Sequence, residues 1–197
     1  LKEDRIIELD KIDKFVDGTA VKKVGKLGFE ISRKFVDKVL LVPEGKVCQE
    51  MIDLYQNDGI VTEPAGALAV SALDQLKDRI KGKTVVCVVS GGNNDISRYP
   101  EIVERSLAYQ GLKHYFIIDF PQRAGALRKF LDKVLGPNDD IVLFEYLKRS
   151  NKESGPALVG LELAKKEDLN PRIKRRDKSG FKYQMIDRES SLFDVVL

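Results

Sequence analysis

The chain contains no tryptophan, only one histidine (His114) and only two cysteines (Cys48 and Cys87) among its 197 residues. One histidine argues strongly against a zinc site and against catalysis by a serine–histidine or cysteine–histidine pair. We therefore predict no metal site. The two cysteines fall in separate predicted elements, so we interpret them as buried apolar residues of a reducing compartment, and not as a disulfide or a metal pair.

Long apolar runs and a strong net charge are also missing. No run approaches the roughly 20 residues that a membrane helix needs, and no secretory signal opens the chain. The net charge of +3 is too small to argue for nucleic acid or a membrane as a partner. We therefore predict a cytoplasmic protein that binds neither. The chain begins at Leu1 and not at methionine, which suggests a fragment or a processed product.

Helical and strand patterns alternate in the first part of the chain. This alternation predicts a doubly wound α/β sheet. Predicted helices cover about 25–37, 44–57, 65–80 and 100–109, and predicted strands cover 38–43 and 83–90.

The pattern changes after Gln110-Gly111. The order of predicted elements becomes βαββαβ, which is the ferredoxin-like unit. We therefore predict two domains, 1–110 and 111–197. The predicted strands of the second are 113–120, 141–148, 157–164 and 181–186, and its predicted helices are 125–135 and 165–179.

The segment 83–94 carries the strongest chemical signal. An apolar, β-branched run stops at Ser90, Gly91, Gly92 and Asn93. Ligands of open α/β sheets bind just beyond the carboxyl ends of strands. This loop offers a hydroxyl, backbone N–H groups and no bulk, so it predicts a site for a flat or anionic ligand. Taken alone, it is equally compatible with a tight strand-to-helix turn.

Two other segments agree with that interpretation. Glu63, in T-E-P-A-G-A, places a carboxylate just before a predicted helix, where the helix dipole favours negative charge. Asp17-Gly18-Thr19 is a turn flanked by apolar residues. Each segment alone reads as a cap or a turn. Together and in this order, the three segments resemble pyridoxal-phosphate-dependent enzymes of the tryptophan-synthase-β fold type (fold type II), and in particular the threonine ammonia-lyase family.

The resemblance implies a role for each segment. Ser90 would hydrogen-bond the pyridine nitrogen of pyridoxal 5'-phosphate, and Gly91, Gly92 and Asn93 would shape the pocket floor. Glu63 would lie close to the cofactor, and the turn containing Gly18 would lie behind the ring. A neutral serine hydroxyl does not stabilise a protonated pyridine, so the ring is a weaker electron sink and elimination is favoured over transamination.

Two motifs of that family are not found. Its Schiff-base lysine lies in S-F-K-x-R-G-A, and its phosphate binds a run of glycines. Lys182 follows Gly-Phe, but no x-Arg-Gly-Ala comes after it. We therefore expect no catalytic residue in this segment. We expect it to correspond to the C-terminal half of the enzyme and to be inactive alone.

Residues 111–197 resemble the single ACT-like regulatory domain of the shorter, bacterial form of biosynthetic threonine ammonia-lyase. The residues that carry this are F-P-Q-R-A-G-A-L (120–127) and G-P-A-L-V-G (155–160). The resemblance implies feedback inhibition by isoleucine, relief by valine, and assembly into homodimers or homotetramers. The predicted effector residues are Phe120, Arg123, Gly125, Ala126 and Leu127, helped by the strands around Leu158 and Gly160.

Two alternatives stay open at this level. The chain as it stands could act as an amino-acid-binding, dimerising module without catalysis. It could also belong to a catabolic serine/threonine dehydratase without feedback control. The large second domain and its F-P-Q-R-A-G-A-L motif favour the biosynthetic form.

Overall fold

A computed structural model describes residues 3–136, 139–147, 153–171, 173–174, 180–187, 190 and 192–196. The chain forms two compact units, Leu1–Ser106 and Leu107–Leu197. The division between them falls inside a helix, and the domain boundary after residue 110 stays a prediction. In these described ranges, no helix has the length and apolarity required to span a membrane.

Unit 1 is built from helices and turns. Its core is formed by Phe15, Val47, Cys48, Met51, Leu54, Ala67 and Ile102. The helices are α1 (Lys26–Phe35), α2 (Glu44–Asp58), α3 (Pro64–Ser71), α4 (Lys77–Ile80) and α5 (Tyr99–Gln110), with 3-10 turns at Asp17–Thr19, Leu73–Leu76 and Ile96–Arg98.

The helix predicted over 65–80 is divided in the structure. Pro64 occupies the first turn of α3, where its missing N–H costs nothing. At the other end, the Ser71 hydroxyl donates to the Ala67 carbonyl at 2.8 Å, an interaction that competes with the helical hydrogen bonds. The chain then passes through the Leu73–Leu76 turn into α4.

The predicted strands at 38–43 and 83–90 are wrong. Neither segment is a strand, and none of the described residues pairs with either one. Val86 is 85% exposed and Val88 is 70% exposed. A strand exists only through hydrogen bonds to a neighbouring strand, so an apolar β-branched run without a partner stays irregular. The described part of unit 1 therefore contains no sheet. The β pairing found among its described residues is an isolated bridge between Glu8 and Lys23.

Unit 2 confirms the ferredoxin-like prediction. Its sheet has the order β2-β3-β1-β4, and β1 pairs antiparallel with both β3 and β4. Residues 169–171 and 173–174 are helical, while residues 172 and 175–179 of the predicted helix 165–179 lie outside the described residues. The elements are β1 (Lys113–Pro121), α6 (Ala126–Val134), β2 (Asp140–Tyr146), β3 (Ser154–Glu162), a 3-10 turn (Lys166–Asp168), β4 (Lys182–Met185) and α7 (Phe193–Val196).

Alternation along β1 gives this sheet two apolar faces. Phe120 lies in the larger core, where its ring centroid is 5.6 Å from that of Phe130 in α6. Tyr115 belongs to the smaller cluster, together with Ala108, Ile186 and Phe193. The larger core contains Phe116, Ile118, Phe120, Ala126, Phe130, Val134, Ala157, Val159, Leu161 and Phe181.

We predict that Phe130→Ala destabilises unit 2 by about 3–5 kcal/mol, because the fully buried ring leaves a cavity. Hydrogen exchange of the β1 amides, measured in the whole chain, checks this. Leu131→Ala, at a 39% exposed position on the same helix, is the control and should cost about 1 kcal/mol or less. Equal effects of the two substitutions would contradict the assigned core.

Candidate functional site

Glu63 and Gly91 form the centre of a contact between two of the motif segments. Glu63 is the residue before α3, and its side chain makes no capping hydrogen bond to the helix. Its backbone N–H donates to the Gly91 carbonyl at 3.1 Å. A Cβ placed on Gly91 would overlap Oε1 of Glu63. The carboxylate therefore occupies the space that any side chain at position 91 would need.

Two more glycines are required by the same close approach. A Cβ on Gly66 would overlap the Gly91 carbonyl oxygen, and a Cβ on Gly92 would lie 2.8 Å from the Val61 carbonyl oxygen. Real Cβ atoms do not come this close to backbone atoms. The start of α3 and the loop after residue 90 can therefore come this close only because glycine occupies positions 66 and 92, whereas a side chain at position 91 would displace the Glu63 carboxylate.

The third motif segment reaches the same place. A Cβ on Gly18 would lie 2.9 Å from the Ala65 Cβ and 3.5 Å from Oε1 of Glu63. Three segments that are far apart in the chain thus meet around one carboxylate. We call this cluster of Gly18, Glu63, Gly66, Gly91 and Gly92 the glycine junction.

Ser90 and Asn93, the other two predicted site residues, flank the junction and are exposed. The sequence did not single out Thr62 or Asn94. The Thr62 hydroxyl and both amide atoms of Asn94 are buried without a hydrogen-bond partner among the described residues. Buried polar atoms are normally satisfied, so these positions point to groups still to be bound at this site. No local sequence pattern identifies Thr62 and Asn94, because the burial of their polar atoms arises only when the chain folds.

The loop leaves the junction through a capped turn. Oδ1 of Asp95 accepts a hydrogen bond from the Ser97 backbone N–H at 2.9 Å. This bond lowers the pKa of Asp95 below its ordinary value, so the carboxylate stays charged and holds the Ile96–Arg98 turn.

The predicted effector residues of unit 2 are only partly brought together. Arg123, Gly125 and Ala126 line a cleft of about 490 Å³, whereas Phe120 lies in the core and Leu127 is exposed outside the cleft lining. Gly125, with φ +80°, is the residue before α6. The full lining is Pro121, Arg123, Ala124, Gly125, Ala126, Lys129, Gly180 and Phe181.

Two family models match the chain. Residues 1–91 match the model described as a pyridoxal-phosphate dependent enzyme, and residues 104–196 match the C-terminal regulatory domain of threonine dehydratase. The glycine junction lies within or next to the first match, and the cleft lies in the second. Together they define the class: a pyridoxal-phosphate-dependent enzyme with a regulatory domain.

Relatives in two bacteria narrow the class. The protein named L-threonine dehydratase biosynthetic IlvA of Halalkalibacterium halodurans is 58% identical over 197 residues, which are 100% of this chain and 48% of that protein. The protein of the same name in Bacillus subtilis is 59% identical over 196 residues, 100% of this chain and 46% of that protein. The chain belongs to the biosynthetic threonine dehydratase family, and it spans about half the length of these curated relatives.

A solved structure agrees. The processed form of threonine deaminase isoform 2 from Solanum lycopersicum superposes with a TM-score of 0.50 and 27% sequence identity. The match covers 53% of this chain and 31% of that one.

We predict that Gly66→Ala destabilises unit 1 by about 1–3 kcal/mol, because the new methyl group pushes α3 away from the Gly91 carbonyl. Gly28→Ala is a matched control, since Gly28 also lies in a helix but a Cβ there meets nothing within 4 Å. That control should be neutral or stabilising by about 0.5–1 kcal/mol. Thermal unfolding of the two variants checks both signs. Equal melting temperatures would contradict the close approach.

The two thiols should react differently. Burial raises the pKa of Cys48 to about 12, while the nearby Arg105 charge lowers it to a smaller extent. At pH 8 only about one in ten thousand of these thiols is ionised, and the thiolate is the reactive form. Cys87 is only partly buried. We expect iodoacetamide to label Cys87 first and Cys48 only after unfolding, as read by peptide mass spectrometry. Faster labelling of Cys48 in the folded protein would contradict this packing.

Proposed function

We propose that this chain is part of a biosynthetic threonine ammonia-lyase, which converts threonine to 2-oxobutanoate and ammonia in the first step of isoleucine biosynthesis. We further propose that unit 2 binds isoleucine and valine as effectors. The observation that carries the proposal is the glycine junction beside an exposed serine. The chain that contains it aligns over its whole length with relatives named biosynthetic threonine dehydratase, which is another name for threonine ammonia-lyase.

The residues at the junction fit pyridoxal 5'-phosphate. Gly91 and Gly92 add no side chains next to the exposed Ser90 hydroxyl, so bulk at this loop does not oppose a flat ring. The unpaired polar atoms of Asn94 offer further hydrogen bonds. When bound, the cofactor supplies an electron sink for negative charge at the α-carbon of the amino acid.

Ser90 sets the strength of that sink. Its neutral hydroxyl can hydrogen-bond a ring nitrogen without a charge that would keep the nitrogen protonated. Loss of the substrate β-hydroxyl then competes well with reprotonation at the α-carbon. Glu63 contributes a carboxylate beside Gly91, to whose carbonyl its own backbone N–H donates at 3.1 Å. Asn93 is assigned to the pocket floor with the two glycines.

We predict that this chain alone, mixed with pyridoxal phosphate and threonine, forms no 2-oxobutanoate at a useful rate, because the family's lysine motif is not found in it. The intact protein should form 2-oxobutanoate readily. In the intact protein, Ser90→Ala should lower kcat by about 10–100-fold through loss of one hydrogen bond to the bound ring. The 2-oxobutanoate assay measures all three. Substantial turnover by the isolated chain would refute the assignment.

The cleft of unit 2 suits an amino acid. The Arg123 guanidinium and the backbone N–H groups at the start of α6 match a carboxylate. Pro121, Ala126 and Phe181 also line the cleft, so a branched side chain would meet apolar lining there. Discrimination between isoleucine and valine depends on one methylene, worth about 1–3 kcal/mol in an apolar pocket.

We predict that isoleucine at a hundred times its dissociation constant stabilises the chain by about 2.7 kcal/mol. Arg123→Met should abolish this shift, because the carboxylate loses its charged partner. Lys133→Met, at an exposed position near the end of α6, is the control and should leave it unchanged. Differential scanning fluorimetry gives the readout. No shift with any branched-chain amino acid would overturn the effector proposal.

An amino-acid-binding module without catalysis is the second candidate, favoured by the match of residues 104–196 to a regulatory domain. A shift with isoleucine in this chain, combined with an intact protein that lacks threonine turnover, would support it. Homodimeric or homotetrameric assembly and a cytoplasmic location also belong to the proposal, and sedimentation of the intact protein tests the assembly.

A further inference from the structure

Arg98 links two of the motif segments. It ends the Ile96–Arg98 turn, eight residues after Ser90. Its Nη2 donates to the Phe15 carbonyl at 2.7 Å, and its Nη1 lies 3.8 Å from Oδ2 of Asp17. The guanidinium also lies 5.1 Å from the centroid of the Phe15 ring. One side chain therefore contacts both the backbone and the ring at the entrance to the Asp17–Thr19 turn.

The Phe15 ring is held from a second direction. The guanidinium of Arg105, on α5, lies 4.7 Å from the same ring centroid, so the ring has a cation–π contact with each arginine. Phe15 is itself part of the unit 1 core. Arg105 is held by Glu101 and Glu44, at 2.8 Å and 3.3 Å. It thus fixes the ring, whereas Arg98 also fixes the backbone that leads into the turn.

This geometry places Arg98 between the loop that carries Ser90 and the turn that carries Gly18. A Cβ on Gly18 would lie 2.9 Å from the Cβ of Ala65 in α3 and 3.5 Å from Oε1 of Glu63, so the turn lies beside the start of α3. Arg98 therefore contacts the turn that borders the glycine junction without being part of the junction. Arginine suits this task because its planar fork can hydrogen-bond a carbonyl, reach toward a carboxylate and cover an aromatic ring simultaneously.

We propose that Arg98 is a positioning residue of the cofactor site: through the Phe15 carbonyl and Asp17 it fixes the Asp17–Thr19 turn against the glycine junction. The expected loss of activity rests on the proposed function. The expected loosening of the Asp17–Thr19 turn does not. Removing a residue that holds the residues of a site in place, without touching the ligand itself, usually lowers activity about 10–100-fold. Displacing a reacting group by about 1 Å has an effect of similar size.

The structural arm of the test compares Arg98→Met with Arg105→Met in the intact protein. Each variant removes one guanidinium from the Phe15 ring, but only the first removes the donor to its carbonyl. The reporters are the amides of Thr19 and Ala20, which bond to Val16 and Asp17 within the turn. Relative to amides of α2, we expect them to exchange at least about 10-fold faster in Arg98→Met and within about twofold of wild type in Arg105→Met. Equal rates in both variants would overturn the proposal.

The catalytic arm uses chemical rescue. In Arg98→Ala, kcat/KM for threonine should fall about 10–100-fold, and millimolar guanidinium should restore most of it, whereas sodium chloride at equal ionic strength should not. A structural defect alone would not respond selectively to guanidinium, so failure of the rescue counts against positioning. If Arg98→Ala is unfolded, as iodoacetamide labelling of Cys48 would show, Arg98→Lys replaces it. That variant keeps a cation near the ring, and wild-type kcat/KM in it would overturn the role of the fork.

The proposed function and this inference fail in different ways. An intact wild-type protein without threonine turnover would refute the proposed function, and the exchange experiment would still decide whether Arg98 holds the turn. An active wild-type protein with unchanged activity and exchange in Arg98→Met would refute only the inference.

Discussion

The close approach of the α3 N-terminus to the loop after Ser90 is the constraint on which the site depends. Backbone atoms of Gly91 lie where the Cβ of residue 66 would be, and the Glu63 carboxylate lies where the Cβ of residue 91 would be. Such contacts carry no large favourable energy of their own. They act by exclusion, because a side chain at position 66 would separate the two segments and one at position 91 would displace the Glu63 carboxylate. The Glu63 carboxylate can therefore lie between the segments only because glycine leaves space for it.

Unit 2 is held together by different interactions. Its sheet is hydrogen-bonded within the unit, and aromatic rings fill one face of it, with Phe120 in contact with rings from α6, β2 and the segment before β4. The cleft opens at the end of β1, where Gly125 turns the chain with a positive φ into α6. A rigid aromatic core thus supports a glycine-containing rim, an arrangement suited to binding a small ligand without unfolding the sheet.

Sequence patterns identified unit 2 well, because the partners of its four strands all lie within the same unit. The same patterns failed at 38–43 and 83–90, since β-branched composition signals a strand but does not supply the neighbour that it needs. The motif segments around Gly18, Glu63 and Gly91 were recognised by their order, and the structure brings them together. Arg98 had no signal, because its role depends on contacts with residues more than eighty positions away.

The exposed run from Thr84 to Val89 affects how readily the chain aggregates. It combines β-branched and apolar residues with no charge and no proline, and its backbone groups are not engaged in a sheet. Segments of this composition readily add to identical segments of other molecules in a cross-β arrangement. Unfolded or partly folded chains can therefore aggregate through this stretch.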